Sequence, residues 1–342
     1  MDHHTAPRWL PGGQTQTLWP ALFSRRSSGA GPRFTRERWT TPDQDFIDVD
    51  WLLDAAAAPE KTRPLLVQFH GLEGSSRSHY SQAFADLARQ RGWAFAVPHF
   101  RGCSGELNLA PRAYHSGDFE EIGWILQRFR TWQDQRGGGS LLVVGVSLGG
   151  NALMRWAAEA GDTAAQVATA VAAVCSPLDL AAGGHAIGRG FNRLVYNRMF
   201  LNSMKPKTLA KLAQHPGLFS RDAMRAASDL YAFDNVFTGP VHGFRDAEDY
   251  WRRASAKPHL RRIRIPALLL NARNDPFVPA ASLPTAAEVS AQVTLWQPAH
   301  GGHVGFAQGR WPGHVLAMPE AVSGWLDGHV ATQQDTPVPR YG

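Results

Sequence analysis

Ser147 stands in Gly145-Val146-Ser147-Leu148-Gly149, at the point where an apolar run (141–146, LLVVGV) gives way to helical spacing (149–159, GGNALMRWAAE). A serine hydroxyl is a weak nucleophile by itself. It becomes useful on a sharp strand-to-helix turn that lifts it clear of the backbone and sets it at the positive end of the following helix. Side chains flanking such a turn would collide with neighbouring backbone, so the geometry asks for glycine on both sides. The alternative is a packing turn; a buried-looking strand before and a helix after favour the nucleophile.

A nucleophilic serine needs a base, and the base needs a group to orient it, in the chain order serine, acid, histidine for this strand–turn–helix setting. Asp275 follows the apolar run 266–270 in Asn271-Ala272-Arg273-Asn274-Asp275-Pro276-Phe277-Val278-Pro279. A loop at the carboxyl end of a strand is where catalytic groups collect, and the two prolines stiffen it. Asp179 and Asp234 are the rival acids. The run 293–296 leads into His300-Gly301-Gly302-His303-Val304-Gly305-Phe306, and His303 is preferred over His300 because the paired glycines before it allow close backbone approach to Ser147. His314 and His329 are expected at the surface. An oxyanion would be held by the N–H of Leu148 and that of Leu72, the latter in His70-Gly71-Leu72-Glu73-Gly74-Ser75. His70 reads as a residue that shapes this loop by hydrogen bonding. A phosphate cradle is disfavoured there because no Lys-Ser/Thr pair follows.

These residues must be carried by a framework, and the apolar periodicity supplies one. Segments 34–41 and 46–53 alternate around Pro42-Asp43-Gln44-Asp45, which predicts an antiparallel hairpin. Runs at 65–69, 94–98, 141–146, 169–175, 266–270 and 293–296 read as strands buried on both faces. Helical patterns at 79–91, 118–132 and 149–159 alternate with them. The expectation is one α/β domain over residues 1–342: a mostly parallel central sheet with an antiparallel N-terminal hairpin and helices on both faces. The stretch 181–262, between the sixth and seventh predicted strands, is too long for one crossover and carries amphipathic segments at 205–214 and 220–230. It is expected to form an inserted helical cap.

Composition removes other classes. The 342 residues are 44 % hydrophobic, enough for a real core, and 35 basic against 29 acidic residues leave a net charge of +6, too dilute for a nucleic-acid footprint. Cys103 and Cys175 cannot build a disulfide framework, and no Cys or His spacing suggests a metal site. No apolar segment near the start resembles a secretory signal, and none elsewhere is long enough to span a bilayer. A cytoplasmic protein with no metal or organic cofactor and no integral membrane segment is expected.

With the serine turn, HGLEGSS, the acid loop and GGHVGF in hand, the chain resembles the YheT-like esterase/lipase family of the α/β-hydrolase superfamily. The resemblance extends to Trp9-Leu10-Pro11 with Gln16-Thr17, His99-Phe100-Arg101-Gly102-Cys103-Ser104-Gly105-Glu106, Tyr114-His115-Ser116-Gly117-Asp118 and Gly149-Gly150-Asn151. Further on it includes Asp234, Gly243-Phe244, Asp249-Tyr250 and Ser255. It departs at Gln14, where the family's Gly-His-x-Gln-Thr pattern has histidine. The resemblance implies a Ser147, Asp275, His303 triad and hydrolysis of short- to medium-chain carboxylic esters. Transfer of the acyl group to an alcohol and binding of a small molecule without turnover are the alternatives. Arg101 and His115 are expected to serve buried hydrogen bonding beneath the site.

Overall fold

The computed structural model describes residues 3–53 and 63–330. Its centre is an eight-stranded sheet in the order β1-β2-β4-β3-β5-β6-β7-β8. The strands are β1 (Phe34–Thr40), β2 (Phe46–Leu52), β3 (Leu65–Phe69), β4 (Ala94–Pro98), β5 (Leu141–Val146), β6 (Ala170–Val174), β7 (Ala267–Leu270) and β8 (Val293–Trp296). From β4 to β8 every pairing is parallel, while β1–β2 and β2–β4 are antiparallel. The predicted fold class therefore holds. The five strands β3 to β7 are wholly buried, as continuous Val/Leu/Ala runs require when helices cover both faces.

Two strands differ from their expected burial. β8 is half-buried along its length because, among the described residues, it is the edge strand of the sheet. β2 is buried almost throughout despite its alternating sequence. Its polar residues are neutralised across the hairpin: Asp50 faces Arg36 and Asp48 faces Arg38 in register. Each arginine donates two hydrogen bonds to its aspartate, at 2.7 and 2.9 Å and at 2.8 and 2.9 Å. Paired bonds of this kind let a carboxylate be buried without an unmet charge.

Four helices pack the sheet. On one face α3 (Phe119–Asp134) and α4 (Leu148–Ala160) bury Ile122, Leu126, Phe129, Leu153 and Ala157 against β1–β7. On the other face α2 (His79–Gln90) and the last helix (Ala317–Asp327) bury Phe84, Ala88, Met318, Val322 and Leu326. An N-terminal helix, α1 (Gly12–Leu22), precedes them. The sequence hid it, since Pro11, the pair Gly12-Gly13 and Pro20 all read as helix breakers.

Between β6 and β7 the described chain contains helices and turns only: α5 (Leu180–Ile187), α6 (Arg198–Gln214), α7 (Arg221–Ala226) and α8 (Ala247–Ala254) among them. Two of its turns are π-helical, Arg193–Asn197 and Asp234–Thr238. A small core of Leu201, Met224, Phe233 and Phe237 holds part of this insertion together.

Candidate active site

Ser147 stands between β5 and α4 with φ 53° and ψ −120°, a conformation that non-glycine residues rarely occupy. The strain is imposed from both sides. Its N–H donates to the Val174 carbonyl of β6 at 2.8 Å, and its own carbonyl accepts from the N–H groups of Gly150 and Asn151 at 3.0 and 3.2 Å. A side chain at Gly149 would place its Cβ 2.5 Å from the His70 carbonyl oxygen, so the turn packs only with glycine there. Asn151, fully buried one turn further on, donates to the Ser116 and Ala254 carbonyls and accepts from the Ala256 N–H, each at 2.9 Å. That one amide ties the start of α4 to the end of the helical insertion.

Asp275, after β7, and His303, after β8, meet the serine at the carboxyl ends of the parallel strands. His303 Nδ1 lies 2.8 Å from Asp275 Oδ2, and Nε2 lies 3.1 Å from Ser147 Oγ. A carboxylate can only accept, so Nδ1 is the donor in that bond, and in a neutral imidazole of this tautomer Nε2 offers its lone pair to the serine hydroxyl. The other oxygen of Asp275 accepts the N–H groups of Phe277 and Val278 at 2.8 and 3.3 Å, which fixes the carboxylate plane. The Phe277 ring sits 4.3 Å from the imidazole centroid.

The rival residues do not join the Ser147–His303 pair, although Asp234 lines the cavity over it. Asp179 caps α5 by accepting the Ala182 N–H. Asp234 accepts the Trp251 indole N–H at 2.9 Å, and burial raises its carboxyl to about 6. His300 is exposed. His314 and His329 are half-buried rather than at the surface: the main chain of His314 pairs with Gln308, and His329 packs on Trp325 at 4.4 Å. His70 is fully buried, bonds the Gly71 carbonyl through Nδ1 at 2.8 Å and accepts the Phe100 N–H through Nε2 at 3.1 Å. Burial pushes its pKa down to about 3, so it stays neutral and shapes the loop. Arg101 donates to Asp43, Asp45 and Glu121. His115 accepts the Gly117 N–H and packs its ring against Tyr250 and His242.

The glycines before His303 serve a different contact from the expected one. A Cβ on Gly301 would strike the Phe306 ring at 2.4 Å, and one on Gly302 would strike the main chain of Gln16 at 2.6 Å. The close approach is thus to α1 rather than to Ser147. Gly305 continues it, with a notional Cβ only 1.8 Å from the Gln16 carbonyl oxygen. Pro20, four residues on, has no N–H to offer that carbonyl.

Sequence reasoning gave α1 no role, yet it fastens both loops. Gln16 Oε1 accepts from the Gly301 N–H and from Asn274 Nδ2, both at 2.9 Å, while its own amide nitrogen donates to the Leu10 carbonyl at 2.8 Å. Asn274 Oδ1 accepts the Gly302 N–H at 3.0 Å. Thr17 Oγ1 accepts the His303 N–H at 2.9 Å and donates to the Gly13 carbonyl at 2.7 Å. Gln14 donates to Asn192 Oδ1 at 2.8 Å and accepts the Tyr196 hydroxyl at 2.9 Å. Both partners belong to the insertion, and Asn192 also donates to the Pro276 carbonyl beside Asp275.

A cavity of about 150 Å3 opens over Ser147 and His303. Leu72 and Leu148 line it on the sheet side; Ile187, Phe200, Met204 and Phe237 line it from the insertion. A notional Cβ on Gly71 would lie 3.1 Å from Ser147 Cβ, so the main chain before Leu72 runs directly against the serine. The next residue, Glu73, is clamped to the insertion. Lys207 Nζ approaches its carboxylate at 2.8 Å, Ser203 donates to the same oxygen, and Tyr114 donates to the other at 3.0 Å. Cys175, Asp275 and His303 present three potential metal ligands within 4.8 Å of one another. Burial holds the Cys175 thiol well above its ordinary pKa, and its sulfur accepts the Val304 N–H at 3.2 Å, so a neutral thiol supports the histidine loop. Among the described residues no helix is long and apolar enough to cross a membrane.

Comparison with known proteins agrees with this architecture. Residues 64–309 match the α/β hydrolase fold family. Over 315 residues the chain is 38 % identical to "Putative esterase YheT" of Escherichia coli (strain K12), covering 91 % of this chain and 89 % of that protein. Over 318 residues it is 28 % identical to phospholipase ABHD3 of Mus musculus, covering 91 % of this chain and 74 % of that one. Among solved structures, the esterase Pf2001 of Pyrococcus furiosus superposes with a TM-score of 0.52 at 13 % identity, covering 87 % of this chain and 91 % of the other, a likeness of fold. The chain belongs to the α/β-hydrolase superfamily and, within it, to the YheT-like esterase/lipase family.

Proposed function

We propose that this ester hydrolase works through an acyl-enzyme on Ser147, with His303 as general base and acid and Asp275 as the group that orients and stabilises the imidazolium. The observation that carries the reading is the single imidazole hydrogen-bonded to both partners, 3.1 Å from the serine oxygen and 2.8 Å from the carboxylate. Ser147 Oγ attacks the ester carbonyl carbon as its proton passes to His303 Nε2. The tetrahedral oxyanion is met by the N–H groups of Leu72 and Leu148. The alkoxide leaves with the proton from Nε2, and water repeats the sequence to release the acid. The positive end of α4 favours the same developing charge.

The cavity points to the substrate class. Its apolar lining suits an acyl chain, and an apolar space of about 150 Å3 accommodates a benzene-sized group, so short- to medium-chain acyl esters fit best. The similarity to proteins named esterase and phospholipase supports ester chemistry. The test is hydrolysis of nitrophenyl esters of increasing acyl length by the wild type and by Ser147→Ala. The expected result is turnover that peaks at short to medium chains and vanishes in the variant. Undiminished turnover by a folded Ser147→Ala protein would overturn the assignment.

A further inference from the structure

The C-terminal half of α1 is a surface of unusual composition. Leu22 and Phe23 are 63 % and 59 % exposed, and Trp311, in the loop beside them, is 70 % exposed. Trp19 joins them, its ring 4.7 Å from Phe23, 6.1 Å from Trp311 and 5.8 Å from Trp9. The platform is anchored from beneath. The Trp19 indole N–H donates to the Pro312 carbonyl at 2.9 Å, and that of Trp9 to the Gly309 carbonyl at 3.2 Å. Each indole thus has its polar group satisfied by main chain.

Its rim is basic. Arg8, Arg25 and Arg310 are exposed, and the Arg25 N–H is bonded to the Gly313 carbonyl at 3.0 Å, two residues past Trp311. Arg26 folds back onto the Ala21 carbonyl at 2.8 Å. No Asp or Glu occurs between positions 3 and 36 or between 289 and 319. Among the described residues, Asp86 is buried and engaged by Ser28 and Arg89, and Glu320 interacts with His314.

We propose that this face docks on an anionic lipid surface. Tryptophan and phenylalanine favour the interface between headgroups and acyl chains, and arginines around them are drawn to a negative leaflet. Charge complementarity selects this occupant over a second copy of the chain, because a two-fold interface would set the same arginines against one another. The inference is independent of the identity of the ester.

The experiment is co-sedimentation with vesicles of phosphatidylcholine alone and of equal phosphatidylcholine and phosphatidylglycerol, at low salt and at 0.5 M salt. Two variants accompany the wild type: Leu22→Ser/Phe23→Ser/Trp311→Ser and Arg25→Glu/Arg310→Glu. All substituted side chains point to solvent, and thermal melting reports that each variant is folded. The wild type is expected to sediment with the anionic vesicles and to release at high salt. The arginine variant should bind at least about 25-fold more weakly, taking roughly five-fold per arginine near the surface, and the aromatic variant should fail to bind. Failure of the wild type to sediment with anionic vesicles would overturn the proposal. So would binding that neither variant alters, or a self-dimer in sedimentation velocity that the aromatic variant dissolves.

Discussion

Ser147, the proposed nucleophile, and its two hydrogen-bonded partners are held by opposite means. Ser147 is fixed locally: within a few residues a buried strand ends, glycines allow the turn, and a helix begins, with one main-chain bond to the neighbouring strand. Asp275 and His303 stand on loops without such a turn, where Asp275 finds local partners in the Phe277 and Val278 N–H groups. They are fastened by α1, from residues 258 to 286 positions away in the chain. The histidine loop is itself under strain, with Val304 at φ 58° and Phe306 at φ 42°, and persists because its surroundings over-determine it. The strained turn at Ser147 is thus secured by the core, whereas the loops of the proposed base and acid lean on α1.

That contrast can be tested from the strongest perturbation downward. Ser147→Ala and His303→Ala should each lower kcat by at least about 10⁴-fold, measured on a nitrophenyl ester with folding checked by circular dichroism. If only one of them did so, the two sides would not act as a unit. Equivalent glycine substitutions should then separate the two means of support. Gly305→Ala, driving a Cβ into the Gln16 carbonyl, should lift α1 and cost about 10²-fold in kcat with the sheet intact, because misplacement of about 1 Å is enough for such a loss. Gly149→Ala, driving a Cβ into the His70 carbonyl, should instead appear as lost thermal stability of the whole domain. Equal melting temperatures for the two variants would refute the distinction.

A gentler change sharpens it. Thr17→Val removes the acceptor of the His303 N–H and should lower kcat about tenfold, equivalent to about 1.4 kcal/mol, with KM unchanged and with Thr17→Ser restoring the rate. A parallel rise in KM would point to the cavity rather than to the imidazole. The smallest effect at neutral pH concerns the elbow side. Burial depresses the folded-state pKa of His70 from 6.5 to about 3, so between these values the unfolded chain holds one more proton. This residue's stabilisation is complete above pH 6.5 and declines as pH falls, by about 1.4 kcal/mol per unit, until about pH 3. Urea unfolding at pH 7, 6 and 5 should show a shallower decline in His70→Gln, which keeps an acceptor for the Phe100 N–H.

Much of this was legible in the chain. The eight strands, the hairpin and the three long helices of the first half follow from hydrophobic periodicity, since each element's pattern answers to its own neighbours in sequence and to a sheet that covers both faces. The serine turn is legible for the same reason. β2 and β8 misled: Asp48 and Asp50 are buried because arginines on the adjoining strand neutralise them, and Val293–Trp296 is half-buried because of its place in the strand order. Helix α1 was concealed by residues chosen for close contact rather than for helix propensity. Gly13, with a notional Cβ 1.9 Å from the Asn274 carbonyl oxygen, looks like a breaker until its neighbour is known.

The sequence by itself therefore determined the elements that satisfy themselves locally: the alternation of strand and helix, the sharp turn at Ser147, and the chain order of serine, acid and histidine. Only the tertiary structure decided that Gln16 and Thr17 hold the acid and histidine loops, that Asn151 joins α4 to the insertion, and that Glu73 is tied to Lys207. The physical reason is that a hydrogen bond between residues hundreds of positions apart leaves no period in the sequence. Its partners are ordinary polar side chains until folding brings them within 3 Å.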